Sequence, residues 1–261
     1  MALAKAHRDY LRFEAMRAPR RAALATALGG GVAVLGAHAL VLRLPASMWR
    51  FMEQAFRVEG MASILLVNDL LAAYFVTFFL GLGGLLDATV TAREEGRLEI
   101  LLAKPVRARL LVAARAVPIL VTATAAGIVV AIAIAVTVPR YLSPGDAISA
   151  GGTLGAALFL VALGALALSA LLPVLVVLRD RLLALLLAAL VWLAPVLPTG
   201  FFIYRPDLFG DGAASFTVLP ALLWHDGVAA WLGPVALGAA LPFGAAMVVL
   251  AGRILERSDA R

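Results

Sequence analysis

The residues of this chain that could perform chemistry are few and widely spaced. The three histidines, His7, His38 and His225, show no ligand spacing, and no cysteine is present to complete a metal site. Ser63 and Ser169 would need a nearby base to act as nucleophiles, and neither has a His or Lys at a suitable spacing. No phosphate loop of the form Gly-x-x-x-x-Gly-Lys-Ser/Thr occurs in the 261 residues. We therefore expect no catalytic residue, no metal site and no cofactor site in this chain.

Two ionisable residues, His38 and Asp69, lie within long apolar stretches. Ionisable groups are unfavourable in the hydrocarbon region, so each is by default a candidate for a functional role. We expect both side chains in the outer half of the membrane, where interfacial water lowers that penalty. The span that contains Asp69 would then begin near Leu70, which leaves Asn68 and Asp69 in the outer interface. A role for either residue in transport is a hypothesis on sequence alone.

The composition indicates an integral membrane protein. Hydrophobic residues make up 63% of the chain and charged residues 15%, with a mean hydropathy of +1.00. Soluble domains are about 45–50% apolar and about 25% charged. A membrane-spanning helix needs about 20 mostly apolar residues, and six stretches qualify: 22–44, 61–86, 110–138, 152–178, 182–203 and 232–255. We predict an all-α, polytopic membrane protein whose residues 1–261 form a single transmembrane domain.

The distribution of Lys and Arg predicts the orientation of these spans. Seventeen of the 22 Lys and Arg residues lie in the N-terminal segment, the 87–115 loop, the 179–181 turn and the C-terminal segment. Cytoplasmic connections carry the excess of positive charge. We therefore predict a multi-pass protein of the cell membrane with both termini in the cytoplasm. Because topology accounts for the net charge of +6, we expect membrane lipids and not nucleic acid as partners.

Residues 1–19 have the pattern of an amphipathic helix at the membrane surface. Leu3, Tyr10 and Phe13 recur at helical spacing, whereas basic residues such as Arg8 occupy another face. A basic flank that only sets the orientation of the first span is the alternative. We expect this span to be retained, because its apolar stretch exceeds the roughly 7–15 residues of a signal peptide.

The segment 91–104, between the second and third predicted spans, is the most informative part of the sequence. Thr91 and Glu94 have capping-box spacing, which predicts a helix start, and Lys104 followed by Pro105 predicts its end. The result is a cytoplasmic helix of about three turns. Its apolar edge consists of Leu98, Leu101 and Leu102, and its acidic pair of Glu95 and Glu99. Glutamates at i,i+4 repel each other, so either a basic partner surface or solvent must face them.

Residues 94–105 follow the pattern Glu-Glu-Gly-x-Leu-Glu-x-Leu-Leu-x-x-Pro. This pattern resembles the signature of ABC-transporter permeases of the type-2 exporter class (ABC2-type, type V exporters), as does its place between the second and third of six spans. Arg97 departs from the family, which often has Thr or Ser there. The resemblance implies a coupling helix that docks on a separate ATPase subunit through Thr91, Arg93, Glu94, Glu95, Gly96, Leu98, Glu99, Leu101, Leu102, Lys104 and Pro105.

The same resemblance implies the rest of the assembly. The chain would be the permease subunit of an ATP-driven exporter, with residues 1–19 as the family's interfacial helix and 204–231 as re-entrant helices on the outer side. An ordinary loop is the alternative for 204–231. A second permease copy, in a homodimer, would pair with two ATPase subunits that hold ATP and Mg²⁺. An ion-coupled secondary transporter and a non-transporting scaffold are the alternatives, and no residue identifies a substrate.

Overall fold

The computed structural model describes Asp9, Arg12 and residues 20–56, 60–103, 107–141, 150–204 and 230–258. Within these residues every regular element is helical. The α-helices are α1 (Arg20–Val41), α2 (Ala46–Phe56), α3 (Gly60–Leu86), α4 (Ala92–Glu94), α5 (Arg97–Leu102), α6 (Ala108–Thr137), α7 (Ala150–Leu175), α8 (Arg181–Tyr204) and α9 (Leu232–Ser258). A π-helical turn, Asp87–Thr91, joins α3 to α4, and a 3₁₀ turn, Val138–Tyr141, follows α6.

Among the described residues, four helical stretches are long and apolar enough to cross a membrane: Asn68–Glu94, Ala108–Thr137, Gly151–Leu175 and Leu232–Ser258. This agrees with the predicted all-helical, polytopic membrane protein. The first and fifth predicted spans are also helices, α1 and α8. Their apolar stretches within the described residues are shorter, Leu28–Leu40 and Arg181–Pro195.

Helix α3 lies at the centre of the bundle, with Tyr74 and Phe78 fully buried. Helices α6 and α7 approach it closely because glycines stand at the crossings. A Cβ on Gly127 of α6 would overlap the side chain of Thr77 and come within 3.0 Å of Val161 on α7. Small residues at such crossings let helix backbones pack directly, which is how helices associate without a hydrophobic driving force between them.

One end of the bundle, which we call the motif end, gathers residues 87–103, the start of α6, the turn between α7 and α8 and the end of α9. Arg109 Nε near the start of α6 donates a hydrogen bond of 2.6 Å to Glu256 of α9. A Cβ on Gly252 would come within 2.7 Å of the Arg109 Cα, so the two helices touch there. Three of the four segments rich in Lys and Arg, namely 87–115, 179–181 and the C-terminal segment, therefore lie at the same end of the bundle.

Helix α2 was not among the predicted elements. The connection 43–60 has too few apolar residues to form a span, but it contains a helix over Ala46–Phe56. Its exposed side chains include Met48 and Phe51, at 52% and 68%. An amphipathic helix of three turns does not reach span length, so a search for long apolar stretches passes over it.

Several predictions fall on residues that the structure does not describe. These are most of the interfacial helix 1–19, nearly all of the outer segment 204–231, and Lys104 and Pro105 of the motif. They stay predictions.

Candidate functional site

The motif segment leaves α3 without a break in the helical backbone. After Leu86 the chain enters the π-helical turn Asp87–Thr91 and continues as α4. Thr91 itself has helical backbone angles, φ −63° and ψ −38°, and its side chain makes no capping hydrogen bond. The predicted capping box of Thr91 and Glu94 is therefore wrong, because the helical backbone runs through Thr91 and its side chain caps nothing.

Gly96 divides the predicted helix 91–104 into two. Its φ of 67° lies in the left-handed region that favours glycine, and the turn at Glu95 and Gly96 separates α4 from α5. The predicted i,i+4 repulsion between Glu95 and Glu99 is wrong, because the two do not share a helix. Arg97 instead donates hydrogen bonds to Glu95 and to Asp87. Burial alone would lower the pKa of Arg97, but these two hydrogen bonds outweigh it and raise that pKa.

Helix α5 lies against the bundle with its leucines inward. Leu98 is 4% exposed, and Leu101 and Leu102 pack against the same core. The side chains around Leu98 come from α3, α6, α7 and α9: Leu85, Leu111, Val112, Leu172 and Leu255. The predicted apolar edge is confirmed, and it faces the core of the protein itself. These three leucines therefore hold α5 against the bundle.

The outward face of α5 carries Glu99 and Ile100. Ile100 is 66% exposed. Glu99 is also exposed, and its carboxylate makes no hydrogen bond or ion pair within the part of the chain that the structure describes. Ile100 was missing from the predicted contact set. Its position opposite the three leucines on a helix could have indicated an exposed apolar residue. Protein interfaces combine an apolar centre with a polar rim, so the exposed Ile100 beside Glu99 is a candidate contact surface.

Glu94 connects the motif to the following helix hairpin. Its Oε1 accepts a hydrogen bond of 3.0 Å from the backbone N–H of Arg181, the first residue of α8. Asp180 Oδ1 accepts the next two, from Leu182 at 2.7 Å and Leu183 at 3.2 Å. The first N–H groups of a helix lack acceptors within the helix and attract negative charge. The two carboxylates therefore cap α8 together.

Two arginines attach the motif to neighbouring helices. Arg115 of α6 donates a hydrogen bond of 2.7 Å from Nη1 to the carbonyl of Ala88, inside the π-helical turn. Arg93 donates from Nη1 to the carbonyl of Val177, between α7 and α8, at 3.4 Å. Single π-helical turns inside α-helices occur frequently at functional sites. Through these contacts the motif is joined to α6, α7 and α8.

No family model, curated protein or solved structure matches this chain. A functional assignment therefore depends on the geometry of the motif end and on the resemblance of residues 94–105. The structure brings the predicted residues from Thr91 to Leu102 together at this end. Among the described residues, no group of three or more His, Cys, Asp or Glu side chains is arranged to hold a metal ion.

A second polar site joins α1 to α3, away from the motif. His38 Nε2 lies 2.7 Å from Asp69 Oδ2, and the two side chains are 5% and 0% exposed. Asn68 Nδ2 donates a hydrogen bond of 3.2 Å to Asp69 Oδ1. Helix α3 begins at Gly60, and its span-length apolar stretch begins at Asn68, close to the predicted start near Leu70. The expected solvation of Asp69 by interfacial water is wrong, because the side chain is fully buried. The contact with His38 satisfies the carboxylate inside the helical bundle, which the sequence could not reveal.

Proposed function

We propose that this chain is the membrane subunit of an ATP-driven exporter and that α5 receives the force from a separate ATPase subunit. The observation that carries the proposal is the way α5 is held. Leu98 is buried among four other helices, whereas Glu99 and Ile100 face outward. A push on the outward face therefore reaches α3, α6, α7 and α9 directly, because interiors packed in this way transmit displacement.

The proposal places the motif end in the cytoplasm, with α1, α3, α6, α7, α8 and α9 as six spans. The described basic residues support this orientation, because Arg107, Arg109, Arg179, Arg181 and Arg257 all lie at helix ends on the motif side. Two copies of the chain would form the transport unit in the cell membrane. Two ATPase subunits would supply the bound ATP and Mg²⁺.

Co-purification tests the proposal. The full-length chain is isolated from its native membrane in mild detergent, and the associated proteins are identified by mass spectrometry. We expect a protein with a phosphate-loop sequence in near-equal amount, and ATP hydrolysis by the complex. A double variant, Glu99→Lys with Ile100→Asp, should lose most of the bound ATPase and of the hydrolysis, because both changes lie on the outward face of α5.

The matched control is Arg257→Glu, which reverses an exposed charge at the same end of the bundle on α9. It should retain the ATPase. If the double variant binds the ATPase as well as the control does, α5 is not the coupling helix. If the isolated chain carries no phosphate-loop protein at all, the exporter proposal is wrong.

The pair of His38 and Asp69 favours a second candidate, a proton-coupled secondary transporter. A buried ionisable pair between two membrane helices is the kind of group through which such proteins couple proton movement to transport. Vesicles that contain the purified chain alone distinguish the two functions. Proton uptake without any ATPase, abolished by Asp69→Asn, supports the secondary transporter, and its absence excludes it.

A further inference from the structure

A groove between α6, α7 and α9 has no part in the contacts at the motif end. It encloses about 460 Å³, within the range of small-molecule sites in proteins. Its lining runs from Val117 to Ile128 on α6 and from Leu237 to Val248 on α9. At about 1.5 Å per residue, each of these walls is about 16 Å long. The groove is therefore a narrow slot parallel to the two helices.

The chemistry of the slot excludes a polar ligand. Its lining residues are aliphatic or small apart from Thr124 and Ser169, and none is ionisable. Both hydroxyl groups donate to carbonyls of their own helices, Thr124 to Leu120 and Ser169 to Ala165, each at 2.8 Å. A charged or hydrogen-bonding group would lose its hydration here and find almost no partner in exchange. The slot therefore fits a hydrocarbon ligand.

The position of the slot in the fold indicates which kind of hydrocarbon ligand it binds. Helices α6 and α9 both have the length and hydropathy of membrane spans, and lining residues such as Val121 and Leu241 are 60% and 75% exposed. Its open side therefore faces the bilayer. One leaflet contributes about half of the roughly 30 Å hydrocarbon thickness, which matches the length of the slot. We propose that the slot binds a single acyl chain of a membrane phospholipid.

A glycine in the wall of the slot leaves space for the acyl chain. A Cβ on Gly238 of α9 would meet nothing within 4 Å, and the residue lines the slot. Gly238→Leu therefore places a side chain in the slot without a clash at its Cβ, and leucine favours a helix more than glycine does. Gly83 of α3 also has open space around its Cβ and lies outside the slot. Gly83→Leu is the matched control.

Photocrosslinking tests the proposal and needs no ATPase. The full-length chain is reconstituted in vesicles of phosphatidylethanolamine and phosphatidylglycerol with a small fraction of phosphatidylcholine that carries a diazirine in one acyl chain. After irradiation, mass spectrometry locates the attached lipid. We expect labelling concentrated on slot residues such as Thr124 and Ala125. It should fall several-fold in Gly238→Leu and in a second filling variant, Ala245→Leu, and stay unchanged in Gly83→Leu.

Two outcomes would overturn the proposal. Labelling that is uniform over the exposed faces of α6 and α9, and equal in Gly238→Leu, means ordinary lipid contact without a binding site. An unlabelled slot together with disulfide-linked dimers of a Leu241→Cys variant means that a second copy of the chain covers it. The chain has no cysteine of its own, so that disulfide is unambiguous. Because no step uses ATP, neither outcome tests the proposed coupling of α5 to an ATPase.

Discussion

The carboxylate of Glu94 accepts a hydrogen bond from the backbone N–H of Arg181, 87 positions further along the chain, at 3.0 Å. This contact places the motif beside the first turn of α8. The motif resemblance implies that Glu94 contacts an ATPase subunit. In the structure its carboxylate caps the first turn of α8. This hydrogen bond therefore joins α4 directly to α8.

The shared cap predicts separable effects on α8. Replacement of a capping carboxylate by alanine costs about 0.5–2 kcal/mol of helix stability. Glu94→Ala should accelerate hydrogen exchange mainly at the Arg181 amide, whereas Asp180→Ala should do so at Leu182 and Leu183. Exchange measured by mass spectrometry with fragmentation resolves these amides. Glu99→Ala is the control, and an equal effect of Glu99→Ala on α8 would contradict the shared cap.

The two faces of α5 predict opposite behaviour for two aliphatic residues. Leu98 is buried and Ile100 is 66% exposed. Leu98→Ala should lower the free energy of unfolding by about 2–5 kcal/mol, as expected for a buried leucine, whereas Ile100→Ala should change it by less than about 0.5 kcal/mol. Thermal unfolding in detergent checks both. Under the exporter proposal, Ile100→Ala should nevertheless weaken binding of an ATPase subunit. Equal stability losses in the two variants would contradict the orientation of α5.

The long helices could be predicted from sequence because a bilayer constrains both their length and their composition. The predicted stretch 61–86 differs by one residue from α3, and 232–255 shares its start with α9. The apolar edge at Leu98 could be predicted for the same kind of reason, since it follows from helical periodicity. Helical periodicity does not, however, predict which surface the apolar edge packs against.

The errors arose where tertiary contacts overrode a local pattern. Thr91 and Glu94 have capping-box spacing, but the helical backbone continues from α3 through Thr91. Glu94 caps a different helix, α8. The new helix that the capping box predicted at Thr91 begins instead after Gly96. The pairing of His38 with Asp69 spans 31 positions, and only the packing of α1 on α3 brings them together. A single sequence contains no signal for such contacts.

The buried pair of His38 and Asp69 predicts a stability pattern across a double-mutant cycle. Removal of one member takes the 2.7 Å contact away from the other buried side chain, and breaking a buried ion pair costs about 3–5 kcal/mol. Asp69→Leu and His38→Leu should therefore each lower the unfolding midpoint in detergent. The double variant should recover most of the loss, because paired replacement by apolar residues is often neutral. A double variant that is as unstable as the sum of the singles would contradict a direct interaction between the two side chains.

The crossing of α3 and α6 at Gly127 predicts a strict requirement for glycine. A Cβ there would overlap Thr77 Oγ1, whose position is fixed by its hydrogen bond of 2.9 Å to the Ala73 carbonyl. Gly127→Ala should therefore lower the free energy of unfolding by about 1–3 kcal/mol through overpacking. Gly29→Ala on α1 meets nothing within 4 Å and should be neutral or gain up to about 1 kcal/mol from helix propensity.

A rescue experiment separates overpacking at Gly127 from a general effect of alanine. Thr77→Ala removes the overlapping hydroxyl, so Gly127→Ala should cost several-fold less in the Thr77→Ala background than in the native chain. The difference is the coupling energy of the two positions, which for residues in contact is about 0.5–3 kcal/mol. Thermal unfolding of the four proteins in one detergent measures it. Equal costs in both backgrounds would mean that the Thr77 hydroxyl is not the group that the added Cβ overlaps.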